Sequence, residues 1–268
     1  MFQIVRAKKL TDKIFSCEIR TRPIAKAAKP GHFVTVSMNP DHPKLPLPIA
    51  DFSEKKGTIT VVVEADDRPR EQMMALDKGD AVFDCRGPFG QRSRIENVGK
   101  VVCIGGGIGA GALFSQIREY KSKDVYVVSI LGFRSKDRLF WQSQIAKHSD
   151  ELYITTDDGT YGIKGRATVA LRAVLDSARD IERVVSIGSL KLMRACAEIT
   201  RPHKIPTIVN LGAIMAEEMW RDGHTRIPGE SQQSFSFFER TEFDGHRLDL
   251  EWLIAQQKRY AEAKEKDA

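Results

Sequence analysis

The segment Gly105-Gly106-Gly107-Ile108-Gly109-Ala110-Gly111 separates an apolar run, Val101–Ile104, from a helical stretch that continues through Tyr120. Glycines at that junction let a backbone approach a diphosphate, and the positive end of the following helix favours negative charge. A tight strand-to-helix turn without a ligand uses the same residues, but the strand–glycine–helix context favours a nucleotide. The acidic residue that usually closes the next strand and meets a ribose is missing. Gly132-Phe133-Arg134-Ser135-Lys136-Asp137 stands there instead. Arg134 and Lys136 either meet an adenosine phosphate or form a solvated helix start. Thr156-Asp157-Asp158-Gly159-Thr160-Tyr161-Gly162 follows a third strand. That puts Asp157 and Asp158 at the carboxyl edge of the sheet, in a ligand-facing segment or in a plain turn.

Other chemistries are poorly supplied. Cys17, Cys85, Cys103 and Cys196 lie far apart with no C-x-x-C, which argues against a disulfide framework and against thiolate-bound zinc or iron–sulfur. Their apolar flanks fit small buried hydrophobes, and no metal site is expected. Net charge is +6, but the cations are spread along the chain, so nucleic-acid binding is not expected. An anionic cofactor or an acidic protein partner accounts for the excess equally well. No apolar run reaches the roughly 18 residues of a membrane span. The opening Met-Phe-Gln-Ile-Val-Arg-Ala-Lys-Lys-Leu lacks the apolar core and cleavage site of a signal peptide. A cytoplasmic protein without a membrane partner is expected.

The elements that position these residues change character along the chain. Phe2–Ala7, Lys13–Arg20, His32–Met38 and Thr58–Glu64 are β-branched or aromatic runs between turn signals, as in a small barrel or sandwich. A short helix near Arg70–Leu76 is the only expected interruption. From about residue 99, strands at Val101–Ile104, Val125–Leu131, Leu152–Thr155, Val184–Ile187 and Thr207–Leu211 alternate with helices, among them Lys136–Lys147 and Gly165–Ala178. That alternation predicts an open α/β domain with a five-stranded parallel sheet. Arg221–His246 fits no regular element, and a loop of that length is functional or disordered. A C-terminal helix from about Leu248 ends in a charged, frayed tail at Ala261–Ala268.

A barrel followed by a nucleotide domain is the architecture of the ferredoxin–NADP reductase superfamily. The strings PLPIADF, GTITVVVE, GPFGQRS, CIGGGIG, RSKD, TTDDGTYGIKG and TEFDGHRLDLEWLIAQQKRY resemble the small subunit of NADH-dependent ferredoxin:NADP reductase across essentially the whole chain. That subunit is itself related to the electron-transfer subunit of dihydroorotate dehydrogenase. The resemblance implies an FAD-binding barrel over residues 1–97 and a nicotinamide-binding domain over 98–212. It places a two-iron, two-sulfur loop and a helix in 213–268. It also implies hydride exchange between nicotinamide and FAD, and a larger flavin and iron–sulfur partner similar to the glutamate synthase small chain. The nicotinamide, as NAD(H) or NADP(H), would meet Gly105–Gly109, Arg134, Lys136, Asp157 and Asp158. FAD would meet Lys44, Leu47, Ile49, Ala50, Arg68 and Arg70.

The departures from the family pattern are specific. Its three cluster cysteines fall on Asp222, Thr225 and Phe237, which cannot replace thiolates, so no iron–sulfur cluster is expected. Its flavin-facing Ser or Thr is Pro48, which brings neither hydroxyl nor backbone donor. Its diphosphate-binding G-K-x-T is Asp67-Arg68-Pro69-Arg70, where Asp67 repels phosphate and only Arg68 and Arg70 compensate. FAD binding that is weak or partner-dependent follows. The other reading is a catalytically silent paralogue retained for structure or regulation.

Overall fold

The computed structural model describes residues 1–40, 44–65, 68–177, 180–214 and 240–267, with the backbone of Ile227–Pro228 and Ser234–Phe235. Alternation of side chains builds the first unit. In β1 (Phe2–Lys9), β2 (Ile14–Arg20), β3 (Phe33–Ser37), β4 (Leu45–Ser53) and β5 (Thr58–Glu64), every second residue points into one core. Phe15, Cys17 and Ile19 of β2 face Ile59, Val61 and Val63 of β5. Each fully buried side chain of this size contributes about 1.5–3 kcal/mol. Two further strands, β6 (Ala81–Val82) and β7 (Asp84–Phe89), give the antiparallel order β6-β1-β2-β5-β4-β3-β7. The edge strands β6 and β7 are consecutive in sequence, joined by Phe83, whose N–H donates to the Ser37 carbonyl at 3.0 Å. The sheet thus bends round into a nearly closed barrel.

β4 changes partners midway. Leu45–Pro48 pair with β3, whereas Ile49–Ser53 pair with β5 across a bulge at Ala50. The Ile49 N–H donates to the His32 carbonyl at 3.0 Å. By two-residue alternation, Leu47 and Leu45 also aim their N–H groups at β3. Pro46 and Pro48 occupy the opposite parity, on the edge that β5 no longer covers. A strand can hold proline only where no donor is needed.

The barrel carries more helix than its sequence announces. Besides α2 (Arg68–Met74), a helix α1 spans Arg22–Ala27, with Pro23 in its first turn where a missing N–H costs nothing.

The second sheet runs β11-β10-β9-β8-β12-β13-β16. Its centre is five parallel strands as expected: β8 (Lys100–Gly106), β9 (Tyr126–Phe133), β10 (Glu151–Thr156), β12 (Arg183–Ile187) and β13 (Thr207–Asn210). β11 (Ile163–Lys164) adds in parallel at one edge, and β16 (Glu242–Asp244) antiparallel at the other. A separate two-stranded ribbon pairs β14 (Ile227–Pro228) with β15 (Ser234–Phe235). Helices α3 (Gly109–Ser122) and α4 (Gln142–Ala146) cover one face, and α5 (Ala167–Ser177) and α6 (Leu190–Thr200) the other. The helix expected over Lys136–Lys147 is broken: a 3-10 turn at Lys136–Arg138 precedes α4, because Leu139 is extended and Trp141 is left-handed at φ 55°. The tail expected to fray instead prolongs α7 (Leu250–Asp267).

α3 joins the two units. A Cβ on Gly111 would lie 3.0 Å from the Val62 side chain of β5, so a larger residue would push helix and barrel apart by a few tenths of an ångström. One turn on, the Ser115 hydroxyl donates to the Ile49 carbonyl at 3.4 Å. Arg118 pairs with Asp51, donates to the Phe52 carbonyl at 3.2 Å and lies 5.0 Å over the Phe52 ring. A second junction centres on Glu242. Its carboxylate accepts from the Ser93 hydroxyl, Gln116 at 2.9 Å, Asn210 at 3.1 Å and the Arg94 N–H at 3.2 Å.

Candidate functional site

The parallel strands run in the order β10-β9-β8-β12-β13, so the direction of winding reverses between β8 and β12. Loops at the carboxyl ends of those two strands flank the crevice where open α/β sheets hold ligands. After β8 comes Gly105–Gly109, and after β12 come Gly188 and Ser189. The Ser189 hydroxyl caps α6 by accepting from the Leu192 N–H at 3.2 Å.

Most glycines of the crevice are fixed by packing. A Cβ on Gly109 would lie 2.4 Å from the Ile187 carbonyl oxygen, and one on Gly105 2.9 Å from the Ala110 backbone. Gly188, at φ 159°, sits where a Cβ would be 3.1 Å from the Gly106 amide. Gly107 differs: its φ is 54°, and nothing lies within 4 Å of where its Cβ would be. Its N–H is tied to the Gly132 carbonyl at 2.9 Å. The loop is therefore held rigidly from behind and open in front, which fits a phosphate-bearing nucleotide at the head of α3.

Two neighbouring loops complete the edge. Arg134 and Lys136 are exposed, and the Lys136 N–H donates to the Thr160 hydroxyl at 2.9 Å. The Asp157 and Asp158 N–H groups donate to the carbonyls of Phe133 (3.0 Å) and Arg134 (3.2 Å). Arg134, Lys136, Asp157 and Asp158 thus belong to one laced unit. Asp158 accepts from the Thr160 N–H at 2.9 Å and its hydroxyl at 2.7 Å. The backbone bond from Thr160 is the main reason that its carboxyl lies below the usual range. That carboxylate shapes the turn, whereas the exposed Asp157 side chain has no partner among the described residues.

The barrel edge is supplied differently. Lys44 is exposed, and Leu47 and Ile49 are buried in the barrel core. Ala50, at the bulge, packs with Val62 and α3. Arg68 is exposed at the head of α2, whereas Arg70 is only 5% exposed. The backbone groups of Leu47 and Ile49 are committed to β3. Pro46, which is buried, and Pro48, which is half-buried, have no N–H to give on the other side of the strand. An isoalloxazine ring presents both donors and acceptors, and one set against Pro46 and Pro48 would find no backbone donor from either residue. Asp67, Asp222, Thr225 and Phe237 lie outside the described residues.

The cysteines are all buried. Desolvation pushes the thiols of Cys17, Cys85 and Cys196 up to about 12, and that of Cys103 higher still. Among the described residues no group of three His, Cys, Asp or Glu side chains could hold a metal ion, and no helix is long and apolar enough to cross a membrane. Sequence reasoning did not find the convergence of Ser93, Gln116 and Asn210 on Glu242. These residues are scattered along the chain, and only the E-F-D-G-H string marks the place.

No protein-family model matches the sequence. Among curated proteins, the chain is 32% identical over 268 residues to an uncharacterized protein in the adh 3′ region of Clostridium beijerinckii, covering 97% of this chain and 90% of that one. It is 29% identical over 260 residues to the dihydroorotate dehydrogenase B (NAD(+)) electron transfer subunit homolog of Thermotoga maritima, covering 97% and 92%. Among solved structures, NADH-dependent reduced ferredoxin-NADP oxidoreductase, studied for flavin-based electron bifurcation, superposes with a TM-score of 0.88 at 28% identity. That match covers 99% of this chain and 95% of that one.

Proposed function

Because the chain belongs to the ferredoxin–NADP reductase superfamily, we propose that it is the electron-transfer subunit of an NAD(P)H-linked flavoprotein oxidoreductase complex. The observation that carries this reading is the intact crevice between β8 and β12, rigid behind and open at Gly107. In this reading Gly105–Gly109 and the head of α3 take the diphosphate, and Arg134 and Lys136 take the adenosine end. Asp157 lines the approach. When bound, the nicotinamide supplies hydride chemistry, and this chain's residues bind and orient it.

The flavin is the weaker half of the reading. The donor-free edge at Pro46 and Pro48 supports FAD binding that is weak, or completed by a larger flavin and iron–sulfur subunit similar to the glutamate synthase small chain. Without cysteines in the Asp222–Phe237 stretch, the chain carries no iron–sulfur cluster of its own. Iron and acid-labile sulfide in the anaerobically purified chain should be near zero; a stoichiometric two-iron signal would overturn that point.

The deciding experiment is co-expression with a candidate large flavin and iron–sulfur subunit from the same genome, followed by size-exclusion chromatography and absorption spectroscopy. Co-elution that survives moderate salt, with flavin reducible by NADH or NADPH, supports the reading. A monomer indifferent to that partner and to both nucleotides would end it. The rival, a catalytically silent paralogue, is favoured by the same two prolines. It predicts a complex of the same size whose nicotinamide oxidation is unchanged by Gly107→Ala.

A further inference from the structure

A second concave site lies away from the carboxyl edge. A cavity of about 610 Å³ opens between the outer face of the barrel and the segment Leu139–Gln144. Its volume lies within the roughly 300–1,000 Å³ of small-ligand pockets. None of Gly105–Gly109, Arg134, Lys136, Asp157, Asp158 or Leu45–Ala50 lines it.

The two walls differ in chemistry. On the barrel side, Arg6, Glu18, Thr60 and Asp51 face one another across four adjacent strands. Of the two carboxylates in that row, Asp51 is paired with Arg118 and accepts from the Phe52 N–H, while Glu18 accepts from the Thr58 hydroxyl at 2.7 Å and keeps its charge. The cations are not engaged. Among the described residues no carboxylate pairs with Arg6, Lys8 or Lys56, all of which line the cavity. The opposite wall is aromatic, with Phe140 buried and Trp141 half-buried.

Trp141 is held in the left-handed region at φ 55° and ψ 16°. A bulky residue seldom adopts that conformation, and it persists only when its surroundings over-determine it. Here the surroundings are edge contacts to Phe114 at 5.3 Å and Phe140 at 6.0 Å, together with the first turn of α4. The backbone turns where the chain must deliver an indole ring to the cavity wall facing three unpaired cations. Strain of this kind clusters at ligand clamps.

We propose that this cavity binds an aryl or heteroaryl phosphate, its ring against Trp141 and Phe140 and its phosphate towards Arg6, Lys8 and Lys56. Flat rings stack on aromatic side chains, and a dianion answers three cations that outnumber the two carboxylates of the cavity, of which Asp51 is already paired with Arg118. Both units of the chain contribute to the walls, so an occupant also bridges the junction held by Asp51 and Arg118.

Isothermal titration of the full chain with AMP, phenyl phosphate, inorganic phosphate and adenosine tests the site. AMP and phenyl phosphate should bind, with inorganic phosphate weaker and adenosine weaker still. The double substitution Arg6→Glu/Lys8→Glu should weaken phenyl phosphate by at least about tenfold. Arg134→Glu, at the carboxyl edge, should leave it unchanged and thereby separate this site from the dinucleotide crevice. The substituted cations are exposed, and a thermal melt confirms that the double variant folds. No phenyl phosphate binding at millimolar concentration, or binding equally sensitive to Arg134→Glu, overturns the proposal.

Discussion

The crevice behind Gly107 and the open edge of β4 are both lengths of backbone stripped of ordinary side chains, yet they offer opposite things to a ligand. Glycine removes a side chain and leaves the amide donor in place. Proline removes the donor and leaves a ring. The Gly107 N–H is spent on Gly132, so an anion at the first edge would meet the head of α3, whereas an acceptor at the second would meet no donor from either proline. Within a single chain, two lengths of backbone reduced to glycine or proline therefore differ in what they can donate.

The largest expected effect comes from the rigid side of the crevice. Gly109→Val places a side chain where a Cβ would be 2.4 Å from the Ile187 carbonyl, and it should cost about 3 kcal/mol in urea unfolding. A small loss would mean that the crevice is softer than its packing implies. Pro48→Thr acts on the other edge by returning a donor and a hydroxyl. It should tighten FAD by about tenfold, or about 1.4 kcal/mol, in fluorescence titration. No gain would show that the missing donors are not what sets flavin affinity.

Between the two edges lies Arg118. Removing its half-exposed contacts to Asp51 and Phe52 by Arg118→Ala should cost only about 1 kcal/mol. It should also separate the barrel and α/β transitions in a melt followed by two probes.

The smallest effect is on pH dependence, and each half contributes one histidine. Burial lowers the pKa of His32, whose Nδ1 accepts from the Lys29 N–H at 3.2 Å. Burial also lowers that of His246, whose Nε2 lies 2.9 Å from the Thr200 hydroxyl. A depressed folded pKa means that the unfolded chain takes up protons first. The stabilisation is complete above the unfolded value of 6.5 and is lost as pH falls through the folded values. Melting temperature should therefore decline from about pH 6.5 downward, and less so in His32→Gln. A flat profile would show that neither ring is held neutral.

The five parallel strands were legible because each is a short apolar run between a helix and a turn, a pattern that burial on both faces imposes. β4 was recognisable as a string but not as a strand, since Pro46 and Pro48 argue locally against one. Only its change of partner from β3 to β5 makes them admissible. The break at Leu139–Trp141 was invisible for the opposite reason. Its residues suit a helix, and the left-handed Trp141 packs against Phe114, which arrives from α3, and against its own neighbour Phe140. Within the crevice, the glycines could be read from sequence but not the division of labour among them. What separates Gly107 from Gly109 is the distance to Ile187, which ends β12 and lies well beyond both in the chain.

The pairing of β13 with β16 has a consequence for how such a chain can change over generations. Asn210 and Glu242 are bonded side chain to side chain and lie in register across the sheet edge, so the stretch between them begins and ends at one fixed place. Closing a loop costs only about 0.6 kcal/mol more for each doubling of its length. The clasp therefore fixes both ends of the intervening segment, whose length can change while the sheet that anchors it keeps its register.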